Sequence, residues 1–295
     1  MCDAATSLLQ SGAVQSTEVE SQLTSDTQIA DSRNEPWQSN LGDLYSAVYT
    51  AMPDAEYFEE SRYVLRGRLE TNGIRPADLF GGKVIVDAGC GAGKFTQAIA
   101  SFGAKRVIGI DIGEENIAFA KEQAKKVPHG AKIDYRVGSV LNLPVEDASA
   151  DFVWCNSVGH VTGDQRATVS ELSRVLMPNG QLFYYVNGRF GLFEILLKML
   201  VNVMAGVPTP LMRHFLQSLG IGAGRISWII ACIFAPYEFL PRAEVEQLLC
   251  ENGFTDFRLL TRGIDIDYSE KIARGEPFAD LKYGEGQLRY IARRV

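Results

Sequence analysis

The stretch VIVDAGCGAGKFTQAIASFGAKRVIGIDIG, residues 84–113, sets Gly89, Gly91 and Gly93 at alternate positions, with Asp87 just before them and Asp111 about twenty residues beyond the loop. Glycines in this pattern let the backbone take positive φ and come close to a ligand, because no Cβ stands in the way. The helix expected to begin near Lys94 offers free N–H groups to negative ligand atoms. Asp87 changes the choice of ligand. A pyrophosphate would be repelled by a carboxylate two residues before the first glycine, whereas an ammonium group would be attracted. The order is G-x-G-x-G, with Lys94 where the third glycine of a dinucleotide loop would fall. Asp111 stands where a second strand should end, placed to accept hydroxyls of a ribose. Cys90 lies within the same loop.

Those residues need a scaffold that brings strand tips together, and the flanking sequence supplies one. Apolar runs are predicted as strands at 83–87, 106–111, 133–137, 150–156, 181–186, 255–261 and 286–295. Helical periodicity fills 95–102, 114–127 and 164–177. The segment 241–254 has Pro241 at a first helical turn and Gly253 past its end. Pro178-Asn179-Gly180 is predicted as a turn. This alternation is that of an α/β doubly wound parallel sheet, whose ligand crevice lies outside the carboxyl ends of the strands.

Composition narrows the function classes. The chain has 295 residues, 46% apolar, with a net charge of −7, which suits a globular domain and disfavours a broad nucleic-acid face. Five cysteines at wide spacing and three histidines make no zinc pattern, so no metal is expected, and a reduced, cytoplasmic protein is. The longest apolar run, 226–236, falls short of the roughly 20 residues that span a bilayer. Residues 1–40 are polar and expected to be a disordered tail.

VDAGCGAG followed by VIGIDIG resembles the first motif and its successor in class I S-adenosylmethionine-dependent methyltransferases. The similarity continues through GSVLNLP (138–144), ADFVWCNSVGHV (150–161) and ELSRVLMPNGQLFYYV (171–186). It implies a Rossmann-like methyltransferase fold, a mostly parallel seven-stranded sheet made from residues 41–187 and 241–295, with 188–240 as a helical lid insertion. It also implies S-adenosyl-L-methionine as cofactor: Asp87, Gly89, Cys90, Gly91 and Gly93 line it, Asp111 and Ile112 meet the ribose side, Ser139 and Val140 border the adenine, and Asn156 borders the methionine end. Ser139 departs from the acidic residue many members carry there.

The acceptor in that family sits beyond strands four and five. Ser157, Asn187, His214, Tyr45 and Tyr49 are therefore the expected substrate contacts, and His160 the expected general base, its ordinary pKa being suited to neutrality. The implied reaction is in-line methyl transfer to a small, moderately apolar N, O or C nucleophile. A non-methylating enzyme of the same fold, such as an aminopropyl transferase, and a non-catalytic cofactor-binding partner protein stand as alternatives. A nicotinamide oxidoreductase is disfavoured by Asp87 and Lys94. The insertion reads as a substrate cap, as a second core or homodimer interface, or as a peripheral membrane contact.

Overall fold

The computed structural model describes residues 56–204, 206–221 and 237–295, with Ile226, Ile229, Ile233 and Ala235 between the last two spans. The expected tail 1–40, Tyr45 and Tyr49 lie outside the described residues. Residues 56–60 form a π-helical turn leading into α1 (Ser61–Glu70), followed by the short α2 (Pro76–Phe80). Then come β1 (Val84–Ala88), α3 (Lys94–Ser101), β2 (Arg106–Asp111), α4 (Glu114–Ala124), β3 (Ile133–Val137) and β4 (Ala150–Asn156). After β4 follow α5 (Gln165–Val175), β5 (Leu176–Asn187), α6 (Leu192–Met204) and α7 (Thr209–Ser218). The described residues close with α8 (Arg242–Glu251), β6 (Phe254–Leu259), α9 (Tyr268–Ala273), α10 (Ala279–Tyr283) and β7 (Gln287–Arg294).

The seven strands form one sheet in the order β3-β2-β1-β4-β5-β7-β6, parallel except for β7, which runs antiparallel to both of its neighbours. β1 lies at the centre, where the strand order reverses, and opens a crevice at its carboxyl end. Its register sets Asp87 beside Gly109 of β2 and Trp154 of β4. Both faces are covered, which is why the strands read as near-continuous apolar runs. On one face Val86, Ile108, Val153 and Leu182 pack under α5 and α8, through Val169, Leu172, Val245 and Leu249. On the other Ile85, Val107, Trp154 and Phe183 pack under α1, α2 and α3, through Leu65, Leu69, Phe80 and Ile99. Trp154 stacks on Phe183 with ring centroids 3.7 Å apart.

Two sequence expectations change. The segment 178–180 is not a turn between elements but an irregularity inside β5. The pairing jumps from Ala150–Leu176 to Phe152–Gln181, and Asn179 takes φ 64° to let the extra residues loop out. The stretch between β6 and β7, which carries no periodic pattern in the sequence, holds α9 and α10. Long-range charge pairs anchor this stretch. Asp267, just before α9, accepts from Arg68 of α1 (2.7 and 3.0 Å) and pairs with Arg289 of β7 (2.7 Å). Arg289 is fully buried and also donates to Ser269 (3.0 Å) and to the Gln287 side chain (2.6 Å), and burial pushes its pKa down to about 10. Gln287 in turn donates to the Tyr185 hydroxyl of β5 (3.1 Å).

Burial works to raise the Asp267 pKa, but the hydrogen bonds from Arg68 and the charges of Arg68 and Arg289 outweigh it and hold it below the usual value. The group's contribution is therefore present at neutral pH and lost as pH falls through the depressed value. Asp267→Ala is expected to destabilise the protein by about 3–5 kcal/mol in urea unfolding at pH 7, because it leaves the buried Arg289 unpaired. The gap between variant and parent should narrow as the pH is lowered.

Candidate active site

The loop after β1 turns on three left-handed glycines, with φ of 78° at Gly89, 54° at Gly91 and 83° at Gly93. Packing excludes side chains at two of them. A Cβ on Gly89 would stand 2.4 Å from Val158, and one on Gly93 2.3 Å from the Tyr135 hydroxyl. Gly89 and Cys90 both donate their N–H to the Ile110 carbonyl. Two tyrosines hold the far side of the loop. Tyr57, fully buried in the turn before α1, donates to the Ala92 carbonyl at 2.5 Å, and Tyr135 of β3 donates to the Gly93 carbonyl at 3.3 Å. No local sequence pattern signals that the Tyr57 hydroxyl reaches the loop, because that contact spans 35 residues.

Two carboxyl groups lie beneath the loop. Asp87 is 2% exposed and accepts from the Thr96 hydroxyl at 2.6 Å. Burial raises its pKa to about 7; the Thr96 bond works against the rise and the charge of Asp111 adds to it. Asp111 accepts from the N–H groups of Gly91 (2.8 Å) and Gly113 (2.9 Å) and from the Asn116 amide (3.3 Å), yet burial still raises its pKa. Each carboxylate oxygen has two lone pairs, so Asp111 retains acceptor capacity beyond these bonds. Ile112 beside it is 39% exposed. Past β3, the Ser139 hydroxyl accepts from the Leu141 N–H at 3.2 Å, and Val140 is buried. The Cys90 thiol is pushed well above its usual pKa by burial and by both carboxylates, so it is no nucleophile at neutral pH.

β4 delivers Asn156, whose side-chain oxygen is buried without a hydrogen-bond partner, and Ser157, which takes φ 65° as the chain leaves the sheet. An orphaned polar atom beside a desolvated carboxyl pair is a donor set that fits a zwitterionic nucleoside: a negative field for an ammonium group, free acceptor capacity for hydroxyls, and glycine backbone close by.

The expectation for His160 is corrected by its surroundings. The ring is fully buried, neither nitrogen has a hydrogen-bond partner, and burial pushes the pKa down to about 3. It packs against Tyr237 (centroids 4.8 Å apart) and Tyr185 (6.4 Å). The ring is a neutral wall residue near pH 7, not a base poised to titrate there. Asn187 does face a pocket. With Gly191, Phe193, Glu194, Phe239, Tyr268 and Tyr283 it lines a tight cleft of about 10 Å³, room for about one water, at the carboxyl end of β5. Its side-chain oxygen accepts from the Tyr185 hydroxyl at 3.4 Å. His214 lies exposed on α7, and no described contact ties it to this cleft. Among the described residues no cluster of three or more His, Cys, Asp or Glu side chains is arranged to hold a metal.

Residues 86–184 match a methyltransferase-domain family. The chain is 36% identical over 106 residues to a methyltransferase-like protein of Schizosaccharomyces pombe, covering 36% of this chain and 39% of that one. It is 29% identical over 162 residues to the ubiquinone biosynthesis O-methyltransferase of Idiomarina loihiensis, covering 52% and 64%. The chain thus spans under two thirds of the length of these relatives. A geranyl diphosphate methyltransferase solved in complex with S-adenosylmethionine superposes with TM-score 0.51 over 80% of this chain and 85% of that one, at 18% identity, and so shares the fold. The alternating glycine loop, the carboxylates at the tips of β1 and β2, the strand order with its reversed β7 and the family match over 86–184 lead to one conclusion: the chain carries a methyltransferase domain of the class I S-adenosylmethionine-dependent family.

Proposed function

We propose that the protein transfers a methyl group from S-adenosyl-L-methionine to a small, moderately apolar acceptor. The observation that carries this reading is the pair of desolvated carboxyl groups, Asp87 and Asp111, beneath a loop opened by three left-handed glycines. In this reading Asp87 meets the α-ammonium group. The backbone at Gly89, Cys90, Gly91 and Gly93 approaches the cofactor without steric hindrance. Asp111 accepts from the ribose hydroxyls while its bonds to Gly91 and Gly113 hold the carboxylate in place. Ile112 lies on the ribose side, Ser139 and Val140 border the base, and Asn156 offers its unpartnered oxygen near the methionine end.

When bound, the cofactor supplies a sulfonium methyl electrophile. The protein's work is to align the acceptor behind that methyl group and to keep water away from it. In this reading the aromatic walls of the cleft, Phe193, Phe239, Tyr268 and Tyr283, part to admit a flat or aliphatic acceptor, with Asn187 as the polar contact and Ser157, past the end of β4, as a second. His160 supports the wall through Tyr185 and Tyr237. With no titrating imidazole near neutrality, the reading favours an acceptor that enters already ionised, such as an acidic hydroxyl that has given its proton to water before binding. Oxygen methylation agrees with the Idiomarina relative being an O-methyltransferase. In this reading residues 188–240 serve as the cap of this cleft, and His214 makes no described contact with it.

Calorimetric titration with S-adenosylhomocysteine tests the cofactor half. Asp111→Ala is expected to weaken binding by about 1–3 kcal/mol, the value of hydrogen bonds to a charged group. Unchanged affinity would remove Asp111 from the site. Tyr57→Phe should weaken binding several-fold with little change in melting temperature, by freeing the Ala92 carbonyl; equal affinity would show that the loop keeps its shape unaided.

The pH dependence follows from Asp87. Its pKa rises from an ordinary 3.8 to about 7, so between those values the native protein holds a proton that the unfolded chain has lost. Stability without ligand therefore falls as pH rises through that window. An ammonium ligand needs the ionised form, so affinity should decline below about pH 7, by at most roughly tenfold per unit. Asp87→Asn should flatten both slopes; a slope that survives the substitution would assign the titration elsewhere.

For His160, the pH profile of turnover should carry no limb from an imidazole, and His160→Gln should leave the profile's shape unaltered while changing its height. A limb near pH 6.5 that vanishes in the variant would restore His160 as the base.

A further inference from the structure

The hairpin of α6 and α7 is apolar on the side that faces solvent as well as on the side that faces the protein. Inward, Val201 and Met204 of α6 pack with Met212 and Leu216 of α7. Phe193 and Leu197 pack with Tyr237 and Phe239. Outward, Leu192, Ile195, Leu196, Met199, Leu200 and Val203 are all exposed, up to 76% at Val203. Their spacing of three and four residues makes one continuous stripe along the helix. On α7, Leu211, Phe215 and Leu219 repeat the pattern at four-residue spacing and are each more than half exposed. Phe190, just before α6, is 66% exposed and takes φ 71°, a conformation that bulky side chains rarely adopt. Scattered exposed leucines need no explanation, but a stripe continued across two helices marks an interaction surface.

The charges around the stripe identify what it meets. Residues 188–240 hold Arg189, Lys198, Arg213 and Arg225 against two acids, Glu194 and Glu238, in a chain with 36 acidic residues. Glu194 is buried and held by Lys198 at 2.6 Å and Arg189 at 3.4 Å, and the exposed Glu238 stands at the segment's end, away from α6 and α7 in sequence. The segment is thus net positive within an acidic protein. A second copy of the chain is a poor partner, because a two-fold interface would set this net positive segment against its own equivalent. An anionic lipid surface satisfies both features, taking the apolar stripe into its head-group boundary and the basic residues against its phosphates.

We propose that the outer face of the α6–α7 hairpin docks on an anionic lipid surface. The docking is interfacial: no described helix is long and apolar enough to cross a membrane. The same helix α6 turns Phe193 and Glu194 toward the cleft at Asn187, so the cleft would open beside the bilayer. The inference rests on the hairpin alone and stands apart from the methyltransferase reading.

The test is vesicle flotation of the full chain, which uses neither cofactor nor turnover. The protein is expected to float with equimolar phosphatidylcholine and phosphatidylglycerol, less with phosphatidylcholine alone, and less as salt is raised. Leu196→Asp with Met199→Asp should reduce flotation at least about tenfold at an unchanged melting temperature, since both side chains are solvent-facing. Lys198→Gln with Arg213→Gln should abolish the preference for the anionic vesicles. The proposal is overturned if the parent protein stays with the unbound fraction on both vesicle types, if it floats equally on both, or if gel filtration shows a dimer that the Leu196→Asp, Met199→Asp pair splits into monomers.

Discussion

A carboxyl group removed from water at the tip of a central strand governs this molecule. Asp87 sits at 2% exposure between β2 and β4, with Asp111 one strand away, and among the described residues the Thr96 hydroxyl alone gives it a side-chain hydrogen bond. Burying an ionised carboxylate with so little compensation is costly, and the raised pKa records that cost. A group kept in this state is a standing demand for a positive partner. The glycine loop, the buried tyrosines and the strand order all serve to hold that demand at the mouth of a crevice.

The loop shows how backbone and side chains divide the work. Gly89 and Gly93 are glycines because Val158 and Tyr135 occupy the space a Cβ would need. Gly91 gives its N–H to Asp111, which couples the loop after β1 to the tip of β2. Tyr57 ties the same loop to the helical layer on one face of the sheet. The polar chain from Asn187 through Tyr185 and Gln287 to Arg289 and Asp267 does the same for the cleft, linking its floor to α9 and α1. Each half of the site is thus stiffened by residues distant in sequence.

The parts legible in the sequence are those with local causes. β2, β3 and β4 have the bounds expected from the sequence, because the punctuation beside them is sharp and, in β2 and β4, both faces are buried. Pro241 and Gly253 bracket α8 as their backbone preferences require. The segment 260–286 carried no periodic stripe, and its helices are held by Asp267, Arg68 and Arg289 and by the stacking of Tyr268 on Tyr283 (4.2 Å), contacts no local pattern encodes. The role of His160 was illegible for the same reason. Residue type suggests a titrating base, but complete burial without a partner is a property of the assembled fold.

The position of β7 has an outcome for biosynthesis. Of the seven strands it is the last to be made, yet it lies between β5 and β6 and pairs with β5 from Gln181–Arg293 to Asn187–Gln287. On the ribosome, β5 must wait with one edge bare for about a hundred residues of synthesis, while the apolar α6–α7 hairpin emerges with no finished sheet to lie against. A nascent chain in that state offers both an unpaired strand edge and an oily surface, which makes the interval before residue 287 the time at which chaperone attendance matters most.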